Sequence, residues 1–470
     1  TPRPGTRLLA CGAAAFAAAV TIYAAGWATG WWYLTPQPLD LQVYVDGGLI
    51  VRHVLPLYDP HAASPLYDWS SLRGFMFTYT PFAAVAFAVV SFLPWSVLPQ
   101  VSVAASMVSL AACCWLTLSV LGYRGRVRTG AALLAAGILL WTEPVQRTLL
   151  LGQVNLVLLM LILADLCVPE KRDGPWWKRT WWAGAGIGIA AGIKLVPLIF
   201  IPYLLLTRRI RQAATATATF AATIALGFTV LPRDSATWWI HGLFFQGTRA
   251  GFPGVMQNQS LRGLLTRLAG SVTAGTPWWI AAATLTAITG LAAATALHRA
   301  GQPMPAILTA ALTGLLISPI SWDHHWVWII PGLITMTSLT LRTWQAGHHR
   351  TATSLATLTT LTWAAFAAWP IAAWVRHTAL TGSYGLDGLI WAVPNTSETV
   401  FTQLGDRPWF PEYHYRGLEL LGGNLYILTG LVLFALLTAA AIHLTRRRPE
   451  RAPADQRPGA GAGAVTASAG

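Results

Sequence analysis

The chain has 470 residues, of which 54% are hydrophobic and only 10% charged, whereas soluble domains carry about 25% charged residues. With a mean hydropathy of +0.52, this composition excludes an ordinary soluble globular protein and places most of the surface in lipid. The net charge of +14 falls in short clusters between apolar runs, which excludes a basic domain large enough to bind nucleic acid and fits contact with anionic membrane lipids.

A crossing helix needs about 20 apolar residues. Apolar runs lie at 8–32, 75–95, 98–122, 129–143, 150–168, 182–207, 212–231, 277–298, 303–319, 326–341, 352–372 and 424–444. The expectation is an all-α polytopic transmembrane helical bundle with about 11–13 membrane segments, its outward loops carrying short juxtamembrane helices. One membrane domain would fill 1–445, and the Arg-, Pro-, Ala- and Gly-rich stretch 446–470 reads as a disordered cytoplasmic tail. The first run is longer than a secretory apolar region, ends in Trp31 and Trp32, and has no small-residue cleavage pattern after it. It is therefore expected to stay as a span. Other tryptophans (Trp181, Trp182, Trp238, Trp239, Trp278, Trp279) also flank apolar runs, where indoles sit at the membrane–water boundary. Cys11, Cys113, Cys114 and Cys167 lie in or beside apolar runs without metal-ligand spacing, so neither a disulfide framework nor a metal site is expected.

Orientation follows the Lys/Arg asymmetry. The basic connectors Arg124–Arg128, Lys171–Arg179, Arg208–Arg211, His298–Arg299, Arg342–Arg350 and Arg446–Arg448 should be cytoplasmic. That leaves 33–74, 143–149, 232–276, 318–325 and 373–423 facing outward. Two points stay open in this arrangement. The stretch 182–207, with Lys194 and Pro197 at its middle, could be one kinked span or two half-helices meeting at a re-entrant turn, and the hairpin lets both its basic flanks stay inside. Two full crossings at 75–95 and 98–122 would put Arg124–Arg128 outside, so either one of them does not cross or the run boundaries differ.

The outward segments hold the groups able to do chemistry. Asp40 follows the first span closely, at the height of a lipid-linked headgroup. Asp46 is six residues on, roughly 240° around a helix, so the two would not share a face and do not form a hydrolase-type carboxylate pair. The plain alternative for either is a solvated loop acid. Ser318-Pro319-Ile320-Ser321-Trp322-Asp323-His324-His325-Trp326 sets two histidines and an acid between two spans. Ionisable groups at membrane depth default to a functional reading, although aromatic and His anchoring of helix ends is the competing one. Arg147, Lys194 and Arg262 could each clamp a phosphate or merely snorkel to headgroups. Gln153 and Asn155 head a span, and Asn258 lies mid-loop in Gln257-Asn258-Gln259-Ser260. There is no GxxxxGK[ST] loop, HExxH or GxSxG motif, so no nucleotide-driven, zincin or serine-hydrolase chemistry is indicated.

Five stretches in order resemble glycosyltransferase family 87 of the GT-C superfamily, which includes mycobacterial polyprenol-phosphate-mannose-dependent mannosyltransferases. They are Asp40-Leu41-Gln42-Val43-Tyr44 with Pro56-Leu57-Tyr58-Asp59-Pro60, then Phe77-Thr78-Tyr79-Thr80-Pro81-Phe82, Gly152-Gln153-Val154-Asn155, Ile193-Lys194-Leu195-Val196-Pro197, and the stretch from Ser318 to Trp326. The resemblance implies a GT-C helical fold in the plasma membrane with its site facing the periplasm or exterior. It implies a polyprenyl-phosphate-mannose donor and a glycolipid acceptor of the phosphatidylinositol-mannoside or lipomannan type, with an α-1,2 linkage. Asp40 maps onto the general base, and His324 or His325 onto the family's late histidine. Tyr44, Asp46, Tyr79, Arg147, Gln153, Asn155, Lys194, Asn258, Arg262 and Asp323 are then expected around the donor phosphate or substrate, with no cofactor or metal. The segment 373–423 looks like the place where acceptor specificity varies. Competing readings are a transferase using another polyprenyl-phosphate sugar, such as arabinofuranose, and a lipid or solute transporter.

Overall fold

The computed structural model describes residues 4–30, 36, 38–58, 77–167, 182–246, 249, 251–369, 388–392, 403–404, 407–408 and 415–446. Trp31, Trp32, Asp59 and Pro60, the connector Lys171–Arg179, most of 373–423 and the tail beyond Arg446 lie outside the described residues. The first half of the chain forms helices α1 (Pro4–Ala28), α2 (Leu39–Arg52), α3 (Pro81–Val90), α4 (Leu98–Val120), α5 (Gly125–Leu139), α6 (Glu143–Leu151), α7 (Asn155–Leu166), α8 (Ala185–Ile193), α9 (Phe200–Leu206) and α10 (Ile210–Val230). The second half forms α11 (Pro232–Ser235), α12 (Leu261–Ala269), α13 (Val272–Arg299), α14 (Pro303–Ile317), α15 (Ile329–Gln345), α16 (His349–Phe366), α17 (Leu418–Gly422) and α18 (Leu425–Arg446). Extended pairing among the described residues is confined to Gln403–Leu404 with Arg407–Pro408 and to isolated bridges.

Every apolar run picked out by hydropathy contains helix among its described residues, and the protein is an all-α polytopic membrane protein. Five helices (α1, α4, α10, α13 and α18) are long and apolar enough to cross a membrane singly, and α6 with α7 forms a broken pair bent by 119°. Shorter apolar helices, among them α3 and α14, complete the bundle.

Helix directions follow from close backbone approaches. A Cβ on Gly12 of α1 would lie 2.1 Å from the Gly130 carbonyl of α5, and one on Gly137 would lie 3.0 Å from the Ala15 carbonyl. Small residues at these points let the two backbones touch, as is usual for helices in lipid. The increasing numbers on both sides show that α1 and α5 run parallel. Arg126 therefore sits beside the N-terminus and donates to Thr6 Oγ1 at 3.2 Å.

Both open stretches depart from a simple crossing helix. The helix within 75–95 is only 10 residues long, about 15 Å, too short to cross the hydrocarbon core. It starts at Thr80, whose hydroxyl caps Ala83 N at 3.1 Å, with Pro81 in the first turn. The stretch 182–207 is a hairpin. α8 begins with Gly184 against Gln212 and ends with Gly192 against Thr223 of α10, whereas α9 runs back to end just before α10 starts. Lys194, extended at φ −130° and ψ 132°, sits at its tip. The described basic connectors consequently share one end. Arg209 donates to Leu166 O, Arg342 to Leu121 O, and Tyr203 meets His298.

The largest apolar core runs between α4, α7 and α14, where Leu110, Cys113, Leu156, Leu163, Ile307 and Leu316 are all buried. A second, smaller core joins α2 and α3 beside the far end of α10. Tyr44 stacks on Phe87 there with ring centroids 4.3 Å apart. Cys113 and Cys114 are buried as free thiols, while Cys11 is exposed on the outer side of α1.

Candidate active site

Three interruptions in the helices meet at the end opposite the basic connectors. α6 ends at Gly152, whose φ of +70° is a left-handed cap, and the chain turns through Gln153 into α7. α8 stops at Lys194. α14 stops before Ser318, and a short 3₁₀ helix at Asp323–Trp328 leads into α15. Broken backbone at membrane depth is tolerated where it lines a site or is buried in protein, and each break carries polar side chains toward the other two.

Gln153 joins them, and it is only 3% exposed. Its amide nitrogen donates to Asp40 Oδ2 at 2.7 Å. Its amide oxygen accepts from Tyr44 OH at 2.6 Å and from Lys194 Nζ at 2.8 Å. Asp40 and Tyr44 reach the same amide because they are four residues apart on α2, hence on one face. Asp40 also lies in the first turn of α2, where a carboxylate complements the helix dipole. Tyr79 OH lies 3.1 Å from Tyr44 OH, and the Tyr79 ring is 5.5 Å from Lys194 Nζ. Thr80 holds Tyr79 there by donating to Gly192 O, two residues before Lys194.

From Lys194 the network continues to the late motif. Lys194 Nζ donates to Asn155 Oδ1 at 2.8 Å, and Asn155 Nδ2 donates to His324 O at 2.9 Å. Asp323 accepts from His324 N at 2.7 Å, and its Oδ1 lies 3.0 Å from the His324 ring Nδ1. The His324 and His325 rings meet edge to face at 4.8 Å. Burial by itself would raise the Asp323 carboxyl, but Arg147 at 3.4 Å and the bonds from His324 outweigh it and hold the acid below the ordinary carboxylate range.

The two histidines are thereby separated. His324 is turned toward Asp323, whereas His325 lines a narrow groove of about 60 Å³ together with Lys194 and Asn155. The rest of that groove is apolar, built from Leu158, Ile162, Val196, Ile199, Phe200 and Leu315 among others. Burial pushes the His325 imidazole well below its ordinary value, with Lys194 and His324 adding to the shift, so the ring is neutral at neutral pH. A histidine that resists protonation in the folded protein lowers stability once the unfolded chain takes up protons, below about pH 6.5. The loss grows as pH falls from there toward the depressed native value. The detergent-solubilised protein is expected to melt at progressively lower temperature between about pH 7 and 5, and His325→Gln to flatten that slope. An unchanged slope in the variant would remove His325 as its cause.

Not every expected residue joins this chain. Asp46 is on α2 as well, but six residues from Asp40 it points to a different face, as helix geometry requires. Arg262 lies with its guanidinium 5.0 Å from the Trp279 ring centroid, against the start of α13. Asn258 is buried and structural. Its side chain accepts from Ser321 N at 2.9 Å and donates to Pro253 O and Pro319 O, which fixes the backbone of the late motif. Arg147 acts through Asp323 and does not line the groove. Glu143 is the residue that sequence reasoning left without a role. Wholly buried, it accepts from Trp391 Nε1 at 3.1 Å and Tyr426 OH at 2.8 Å, and lies 3.9 Å from Arg147 Nε. It ties the segment 388–392 and α18 to the floor of the site.

Two of these breaks, at Gly152–Gln153 and at Lys194, lie within a region that matches a known family. Residues 77–319, more than half of the chain, match the profile of glycosyltransferase family 87. The chain belongs to that family. Among curated relatives, a polyprenol-phosphate-mannose-dependent alpha-(1-2)-phosphatidylinositol mannoside mannosyltransferase of Mycobacterium tuberculosis is 32% identical over 316 residues, covering 64% of this chain and 70% of that protein. A polyprenol-phosphate-mannose-dependent alpha-(1-2)-phosphatidylinositol pentamannoside mannosyltransferase of Mycolicibacterium smegmatis is 34% identical over 304 residues, covering 64% of this chain and 70% of that relative. No solved structure is significantly similar to the chain. The family region runs from the Tyr79 motif to Pro319, so it takes in Gln153, Asn155 and Lys194, the residues at the centre of the hydrogen-bonded chain.

Proposed function

We propose that this protein transfers a mannosyl residue from polyprenyl-phosphate-mannose to a phosphatidylinositol-mannoside-type glycolipid, forming an α-1,2 linkage. The relatives' activities support the substrates. The observation that carries the reading is the apolar groove ending at Lys194, Asn155 and His325, with Asp40 one amide away across Gln153. The apolar lining matches the character of a polyprenyl chain, and an ammonium, an amide and a neutral imidazole at its head match the chemistry of a phosphate.

The reaction is a single displacement. The acceptor hydroxyl oxygen attacks the anomeric carbon, the bond from that carbon to the phosphate oxygen breaks, and Asp40 takes the hydroxyl proton. Polyprenyl phosphate leaves with the negative charge, which Lys194 meets by charge-assisted hydrogen bonding while His325 supplies a neutral donor. A β-linked donor gives an α-linked product by inversion. Because the basic connectors gather at the other end of the bundle, the positive-inside rule supports a site on the exterior side of the plasma membrane.

Purified protein with radiolabelled polyprenyl-phosphate-mannose and a phosphatidylinositol mannoside is expected to yield labelled glycolipid. An arabinofuranosyl-phosphate donor is expected to give none. If that donor is the one consumed, the family holds and the sugar assignment falls. Consumption of no lipid-linked sugar would defeat the transferase reading.

A further inference from the structure

One cation near the site has no part in the mechanism above. Arg249 lies in the segment between the one-turn helix at Leu243–Phe245 and α12, and its Nε and Nη2 are buried without a hydrogen-bond partner among the described residues. Buried guanidinium N–H groups left unpaired are costly, so their persistence calls for a ligand. The guanidinium carbon lies 5.9 Å from the ring centroid of Tyr58. Tyr58 is itself fixed on both sides, stacked on Trp238 at 5.2 Å and donating its hydroxyl to Tyr79 O at 2.7 Å. Two residues beyond Arg249, Gly251 takes a φ of +129° and backs onto Trp322, so closely that a Cβ would lie 2.7 Å from the indole. Arg249 thus faces the Tyr58–Tyr79–Tyr44 side of the site, which leads to Asp40, while its chain neighbour Gly251 backs onto Trp322, which precedes the late Asp-His-His triplet. The neighbouring acid, Asp234, is occupied in accepting from Leu57 N at 3.0 Å.

We propose that Arg249 determines acceptor specificity by binding the phosphodiester of a glycerophospholipid acceptor through its unpaired N–H edge. The proposal rests on the mannosyl-transfer reading and deepens it. A guanidinium fork matches two phosphate oxygens at once, and an aromatic face holds its plane. The donor phosphate has its own head group in Lys194, Asn155 and His325. Arg249 is tied instead, through Tyr58, Tyr79 and Tyr44, to the side of the network that carries Asp40. An acceptor anchored there by its phosphate presents its sugar to the base at a fixed depth.

The test compares two acceptors on the same full-length protein in mixed micelles, a phosphatidylinositol mannoside and a phosphate-free alkyl mannoside. Arg249→Ala is expected to raise KM for the phospholipid acceptor by about ten- to a hundredfold, and Arg249→Lys by less. KM for the alkyl mannoside and for the donor should stay unchanged in both variants. An equal rise for both acceptors would mean that the residue only supports the loop, and a rise in donor KM would assign it to the donor phosphate. Either result, or no change at all, overturns the proposal while wild-type turnover leaves the mannosyl-transfer reading standing. A wild type silent with every acceptor and donor would remove that reading, and the Arg249 assignment with it.

Discussion

Asp40→Asn is expected to lower kcat by about 10²–10⁴-fold, the usual worth of a positioned general base, with donor affinity retained. Asparagine keeps the size of the side chain and can still accept the hydrogen bond that Gln153 Nε2 makes to Asp40 Oδ2 at 2.7 Å. What it cannot do is take a proton from the attacking hydroxyl. The donor head, formed by Lys194, Asn155 and His325, is untouched, so donor binding measured by equilibrium methods should match the wild type. Asp46→Asn is the internal control. It changes the same chemical group on the same helix, but on a different face, and should turn over donor at near the wild-type rate. If Asp46→Asn were the inactive variant and Asp40→Asn the active one, the reaction class would survive and the base would have to be reassigned.

Much of this was readable in the sequence for simple reasons. Helix positions follow from apolar run length, because lipid forces every backbone group in a crossing to be satisfied within the helix. A re-entrant hairpin was one of two readings open for 182–207, and it is the one that keeps both basic flanks on one side. Charge also signalled a conflict in 75–122, without saying whether a run fell short of crossing or the boundaries were wrong. That depended on Thr80 and Pro81 starting the helix late.

What the sequence concealed is how the polar residues pair. Gln153 was expected around the donor phosphate or substrate, and the two ends of its amide meet Asp40, Tyr44 and Lys194. These partners lie 41 to 113 residues away, and no local pattern reports such contacts. Asn258 and Arg262 sit close together in one polar stretch, yet one pins a backbone and the other covers an indole. Glu143 and Arg249 were missed for the same reason. The first is paired with residues far along the chain, and the second gains its interest only from the rings around it. The two histidines were indistinguishable as neighbours in sequence. The short 3₁₀ helix that holds them gives His324 to Asp323 and His325 to the groove, which is a matter of side-chain direction rather than residue type.

Lys194→Met should lower kcat/KM for the donor by about 10²–10³-fold, the range seen when one donor to a developing negative charge is removed. The side chain keeps its apolar stem along the groove and loses only the ammonium. Gln153 Oε1 still accepts from Tyr44 OH at 2.6 Å, so Asp40 stays oriented and KM for the acceptor should not move. The effect is therefore confined to the leaving group, where charge builds as the sugar–phosphate bond breaks. Because Gln153 bridges the two functional groups, combining Lys194→Met with Asp40→Asn should cost less than the product of the single losses, as groups acting in one transition state generally do. A full multiplicative loss would show that Asp40 and Lys194 act in separable steps. No loss in Lys194→Met would show that the phosphate is held elsewhere, and the donor groove would then have to be placed away from the tip of the re-entrant hairpin.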